Sequence, residues 1–143
     1  MTKSKLDIEL NFLTPFQMTR DGAVISADEL KPSDLARYSM RRTFLLDYLY
    51  YSKGRAIPFR TSPSIVNRVM EWCDVNVDIS KKLDAVQAFK DKSYFLEGKI
   101  KISINTNSEE ANMLIFFLYV CQYIGIGKKT TYGMGQYQLV YTS

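Results

Sequence analysis

Three observations predict an α+β domain. Alternating apolar and polar residues bracket the chain, at Leu6–Phe12 and again at Gln136–Thr142. A third alternating stretch, Tyr94–Ile104, follows another strand-like segment at Leu83–Phe89. Helical periodicity fills the two remaining gaps, from Pro32 onward and from Ala111 to Ile124. The resulting order is strand, helix, strand, strand, helix, strand. It predicts a ferredoxin-like βαββαβ fold, a four-stranded antiparallel sheet with two main helices on one face and a small extra helix.

In the first strand Leu6, Ile8, Leu10 and Phe12 share one side, and Asp7, Glu9 and Asn11 the other. Pro15 ends that pattern, and Arg20-Asp21-Gly22 signals a turn. Lys31-Pro32-Ser33-Asp34 opens a helix, with Ser33 as the expected N-cap and Asp34 in the first turn. Leu35, Tyr38, Leu45, Leu46 and Leu49 recur at helical spacing, and Gly54 is the expected stop. Ser62-Pro63 starts the small extra helix, predicted through Cys73 with Ile65, Val66, Val69, Met70 and Trp72 inward. Asp74–Ile79 reads as a strand or its lead-in.

Leu83–Phe89 and Tyr94–Ile104 form a predicted hairpin around Asp91-Lys92-Ser93. Ile100, Ile102 and Ile104 line one face of its second strand, and Lys99 and Lys101 the other. Those lysines fit edge protection or a nucleic-acid track equally well. Asn107 with Glu110 resembles a capping box for the last helix. That helix is apolar nearly all round, so cover on most sides is expected. Tyr137, Leu139 and Tyr141 alternate in the closing strand.

With 143 residues, 46% of them hydrophobic and 24% charged, the chain fits one domain, 1–143, with a core of its own. No stretch has the length of a membrane span, and Met1–Lys5 lacks a following apolar region, so neither membrane insertion nor secretion is expected. Two cysteines, Cys73 and Cys121, are too few and too distant for a disulfide framework or zinc site, which fits a reducing cytoplasm. Histidine is absent, which removes the commonest general base and the commonest metal ligand. Neither metal nor cofactor is expected.

The net charge of +4 is unevenly spread. Residues 31–60 hold seven Lys/Arg against two acids, and residues 81–105 hold six against three. Such blocks suit a polyanion, with nucleic acid first.

Gly125-Ile126-Gly127-Lys128-Lys129-Thr130-Thr131-Tyr132-Gly133-Met134-Gly135 concentrates four of the seven glycines, two lysines and two hydroxyls. Glycine permits close backbone approach, and consecutive N–H groups in such a loop can form an oxyanion nest. The plainer reading is a long connector. A Walker A loop is excluded, because Lys129 follows Gly127-Lys128 and the loop lies between a helix and a strand. A Rossmann loop fails on the same order. The preceding helix offers its negative end, so a phosphate here would be held by loop amides and the lysines.

Helix, glycine-rich loop and alternating strand together resemble the C-terminal signature of RAMP domains. Within that superfamily the chain is most similar to the CRISPR-associated (Cas) endoribonuclease family that processes repeat RNA. Leu10-Asn-Phe-Leu-Thr-Pro-Phe, the basic helix through Arg41-Arg42, and Gly98 also fit the C-terminal domain of that family. The resemblance implies two ferredoxin-like domains in tandem, RNA in a basic cleft, and a glycine loop that packs between domains and helps hold RNA. It also implies metal-independent cleavage, in which the RNA's 2′-hydroxyl attacks the adjacent phosphate.

The chain departs from that pattern in holding one ferredoxin-like unit and no histidine. Tyr38, Arg41, Arg42, Lys128, Lys129 and Tyr132 have suitable chemistry, but no motif fixes a role and no catalytic set is assigned. The expected RNA-binding residues are Gly125, Gly127, Lys128, Lys129, Thr130, Thr131, Tyr132, Gly133 and Gly135, with Arg41, Arg42, Lys99 and Lys101. Three readings stay open: a repeat-RNA endoribonuclease domain, a non-catalytic RAMP subunit gripping RNA in a CRISPR effector complex, and an oligomerisation or small-ligand domain. The implied partners are CRISPR repeat RNA and a second RAMP domain or another Cas protein, with homo-oligomerisation left open.

Overall fold

The structure, a computed structural model, describes residues 5–50, 63–87, 94–105 and 108–142, without the side chains of residues 5, 44–50, 63 and 131. Strands β1 (Lys5–Phe12), β4 (Val77–Val86), β5 (Phe95–Asn105) and β6 (Tyr137–Tyr141) form one sheet in the order β4-β5-β1-β6. Every neighbouring pair is antiparallel. Helices α1 (Pro32–Tyr50), α2 (Pro63–Asn76) and α3 (Glu109–Ile124) complete the α+β, ferredoxin-like layer pair. A two-stranded ribbon, β2 (Thr19–Arg20) and β3 (Ala23–Val24), turns at Asp21 and Gly22, both at positive φ. The turn signal is therefore met, with two short strands added.

Register follows the apolar alternation. Ile8 stands opposite Ile102, and Leu10 opposite both Ile100 and Leu139. These residues face the helices, where they meet Leu35, Ala36 and Met40 of α1, Val66, Val69 and Cys73 of α2, and Leu114, Leu118 and Cys121 of α3. The opposite sheet face is polar and carries no helix of the described residues.

Four local expectations shift. α1 begins at Pro32, whose missing N–H suits a first helical position. Capping therefore falls to Asp34, whose carboxylate accepts the Lys31 N–H at 2.9 Å. Ser33 lies inside the helix and donates its backbone N–H to Asp74 Oδ1 at 3.1 Å. α2, expected to be small, is 14 residues long and runs straight into β4. Its Ile65 sits outward, at 36% exposure.

β4 is one strand from Val77, because Lys81 occupies an inward position and sends its ammonium to the carbonyls of Leu30 (3.1 Å) and Asp28 (3.3 Å). In α3 the cap is Ser108, whose hydroxyl accepts the Ala111 N–H at 3.2 Å. The Gly54 stop, the Asp91–Ser93 turn and Asn107 lie outside the described residues.

The apolar sequence of α3 led to an expectation of cover on most sides. One face instead stays open, with Phe116 57%, Tyr119 46% and Tyr123 71% exposed. The helix is packed on the sides facing α1 and β6, and nothing among the described residues lies over the third.

Candidate nucleic-acid interface

The glycine loop begins where α3 ends and docks on the segment that follows β1. Gly125 donates its N–H to Cys121 O at 2.8 Å, closing the helix. Ile126, fully buried, donates to Gly135 O at 2.9 Å, and Gly135 donates to Pro15 O at 2.8 Å. Lys128 N–H reaches Gln17 O at 2.8 Å. Beyond it Lys129 adopts the left-handed region, at φ 58°, and starts a short 3-10 turn over Thr130–Tyr132. The N–H groups of Tyr132 and Met134 return to Lys129 O, and that of Gly133 to Thr130 O. The Thr14 hydroxyl donates to Gly133 O at 2.8 Å and accepts the Gln136 N–H at 3.0 Å.

Two glycines are required by this docking. A Cβ on Gly127 would lie 2.5 Å from Gln17 O, and one on Gly135 would lie 1.8 Å from Ile126 O. Main chain therefore passes main chain at distances that exclude any side chain.

These bonds narrow the set of loop amides that could face an anion. Seven loop N–H groups (Gly125, Ile126, Lys128, Tyr132, Gly133, Met134 and Gly135) are spent on protein carbonyls. What the loop presents outward is side chains. Lys128, Lys129 and Tyr132 are exposed, the last at 71%, and Lys129 Nζ lies 5.8 Å from the centroid of the Tyr132 ring. Thr130 is half-buried, its methyl facing Gly125.

Arg42 joins this end of the molecule, its Nη2 donating to Ile124 O at 3.4 Å. That places a cation at the negative end of α3, one residue before the loop. Its Nε is buried without a hydrogen-bond partner among the described residues. Arg41, one position earlier on α1, is exposed. Tyr38 is committed elsewhere, its hydroxyl accepting the Thr19 N–H at 2.8 Å beneath the Arg37 guanidinium.

Lys99 and Lys101 lie apart from the loop, on the open face of the sheet. Their strand, β5, is flanked by β4 and β1, so protection of a sheet edge does not apply to them. Lys101 stands opposite Glu9, and Lys99 opposite Lys82. Asp7, Asp78, Asp84 and Glu97 share that face by register, so carboxylates outnumber lysines there. A shallow groove of about 390 Å³ crosses it, lined by Asp7, Asp78, Ser80, Lys101, Ser103 and Thr142 among others.

The nucleophilic groups of the core are quiet. Burial pushes the Cys73 thiol up to about 12 and the Cys121 thiol up to about 11. Cys121 donates to Ser39 O at 3.4 Å. Tyr137 donates its hydroxyl to Leu118 O at 2.5 Å, and burial holds its pKa well above the usual phenol value. Among the described residues no cluster of His, Cys, Asp or Glu could hold a metal ion, and no helix is long and apolar enough to cross a membrane.

Thr14, Pro15 and Gln17, which anchor the loop, were missed as loop partners. Thr14 and Pro15 had one signal, the Leu10–Phe16 part of the family resemblance, and Gln17 had none. A ferredoxin-like sheet whose last helix feeds a lysine-bearing glycine loop defines the class as a RAMP-type domain. The family model for the CRISPR-associated endoribonuclease Cas6 matches residues 10–137, and the chain belongs to that family.

Solved structures share the fold. A Thermus thermophilus Cas6 matches at 18% identity and a TM-score of 0.59, over 98% of this chain and 55% of that one. A Cas6 product complex matches at 19% and 0.61, over 98% and 53%. A partial Cas6-RT-Cas1–Cas2 complex matches at 16% and 0.64, over 97% and 23%. The chain thus spans about half the length of the first two. No curated protein matches it.

Proposed function

We propose that residues 1–143 form one RAMP domain that binds CRISPR repeat RNA and serves in its processing. The observation that carries this reading is the outward display of Lys128, Lys129 and Tyr132 on a loop tied down by seven main-chain bonds, in a chain of the Cas6 family. A tied loop loses little backbone freedom on binding, so its two charges reach phosphate at the cost of side-chain ordering alone. Arg41 and Arg42 extend the cationic surface beside it. Lys99 and Lys101 would offer a second, weaker contact, since carboxylates surround them. Related Cas6 structures are a product complex and a substrate mimic complex, which supports a substrate-binding role for this domain.

In this reading cleavage proceeds by attack of the RNA's own 2′-hydroxyl on the adjacent phosphate, expelling the 5′-oxygen and leaving a 2′,3′-cyclic phosphate. The loop lysines and Arg41 would stabilise charge on the phosphorane. A second reading, RNA holding without cleavage, is favoured by the absence of histidine and by the commitment of Tyr38 to Thr19. The partner in either case is a second RAMP domain or another Cas protein, and two free buried thiols fit the cytoplasm.

The test incubates repeat RNA with the chain in EDTA, beside RNA carrying one 2′-deoxy substitution at the cut site. Cleavage of the first alone supports the endoribonuclease. Binding with neither cut supports the holding subunit, and cleavage of both contradicts 2′-hydroxyl attack.

A further inference from the structure

The segment after β1 and the glycine loop each leave a large apolar side chain in water where the two cross. Leu13 is 69% exposed, and its N–H donates to Gln136 O at 2.8 Å. Tyr132 is 71% exposed, and the next residue, Gly133, accepts the Thr14 hydroxyl at 2.8 Å. One apolar residue thus directly precedes each partner of the Thr14–Gly133 bond. A lone exposed leucine or tyrosine is ordinary on a protein surface. Here two stand on crossing segments whose main chains are held, Leu13 by Gln136 and Tyr132 by Lys129 O at 3.0 Å. The Lys129 ammonium lies over the Tyr132 ring, 5.8 Å from its centroid, and Lys128 is exposed beside it. Neither segment carries an acid, since Asn11–Thr19 and residues 111–143 lack Asp and Glu altogether.

Lysines on phosphate position a nucleic acid without distinguishing paired from unpaired bases. Charge alone favours a duplex, where phosphates are denser. An exposed ring beside a cation has the opposite preference, because only an unpaired base offers its flat face for stacking. We propose that Tyr132 and Leu13 hold one unpaired nucleobase, the tyrosine ring stacking on it and the leucine packing against it, while Lys129 meets a neighbouring phosphate. Resting on the reading of the glycine loop as an RNA-binding element, this clamp adds what the loop selects, a single-stranded segment over a duplex. Every base has a π-face, so the clamp tolerates different sequences.

The probe is an end-labelled oligouridylate, beside the same strand annealed to oligoadenylate, each titrated with the full chain at low salt and followed by fluorescence anisotropy. The single strand should bind more tightly than the duplex. Tyr132→Ala should weaken single-strand binding by about 5- to 100-fold and leave the duplex unchanged, whereas Tyr132→Phe should keep the affinity of wild type. Leu13→Ala should weaken the single strand by a smaller factor. Thermal unfolding of all three variants should match wild type, since both side chains are largely in water. A duplex bound as tightly as the single strand overturns the clamp and leaves RNA binding by the loop intact. So does a Tyr132→Ala variant that keeps its single-strand affinity, or a Tyr132→Phe variant that loses it. A wild-type chain that binds neither probe overturns the clamp together with the reading it rests on.

Discussion

Lys128 donates its backbone N–H to the carbonyl of Gln17 at 2.8 Å, so the first lysine of the loop is held by main chain while its side chain stays exposed. The bond joins the two ends of the sequence. Gln17 in turn donates its side-chain amide to Tyr94 O at 2.9 Å, which links the loop to the start of β5. Loop, β1 extension and sheet therefore behave as one tied unit.

The close passages at Gly127 and Gly135 set the first expectation. Gly135→Ala should destabilise the fold by more than about 2 kcal/mol, through a clash with the Ile126 carbonyl added to a strained positive φ. Gly133→Ala meets nothing within 4 Å, and should cost only about 1 kcal/mol for its φ of 85°. Urea unfolding of the two variants measures the difference.

Thr14→Val removes a hydroxyl that serves Gly133 O and Gln136 N–H together, at nearly constant volume. The expected loss is about 1 kcal/mol, since one bond is part-buried and the other is exposed to water that can replace it. Hydrogen exchange at the Gln136 amide should quicken as well.

The thiols give a pH dependence. Both have folded pKa values above the ordinary 9.0, with Cys73 at about 12 and Cys121 at about 11. Their contribution to stability is full below pH 9, where both states are protonated. It is lost as pH rises from 9 toward 12, because the unfolded thiol then gives up its proton and the folded one does not. Cys73→Ala should flatten that alkaline fall while lowering stability near neutral pH. At pH 8 a thiol reagent should label both cysteines only after unfolding.

Much of the fold was legible because its signals are local. Alternation at Leu6–Phe12 and Ile100–Ile104 gave two sheet strands and the face that each buries. The helix ends were misplaced by a residue where two capping residues competed, as with Ser33 and Asp34. The site was legible only in part. Its lysines and glycines stood out, but the fate of the loop amides depends on Pro15 and Gln17, and Thr14 is 119 residues from Gly133. No periodicity reports such a contact. The open face of α3 was hidden for a different reason, since a helix apolar all round gives no sign of which side lacks a neighbour.

The central claim, that the loop lysines hold RNA, is tested most directly by repeat-RNA affinity measured against salt. Affinity should fall steeply as salt rises, and Lys128→Ala with Lys129→Ala should lower both the affinity and the steepness, the slope dropping by about 1.5. Lys99→Ala with Lys101→Ala should change either quantity far less. A wild-type affinity indifferent to salt, or a slope that the loop variant leaves unchanged, would contradict the account.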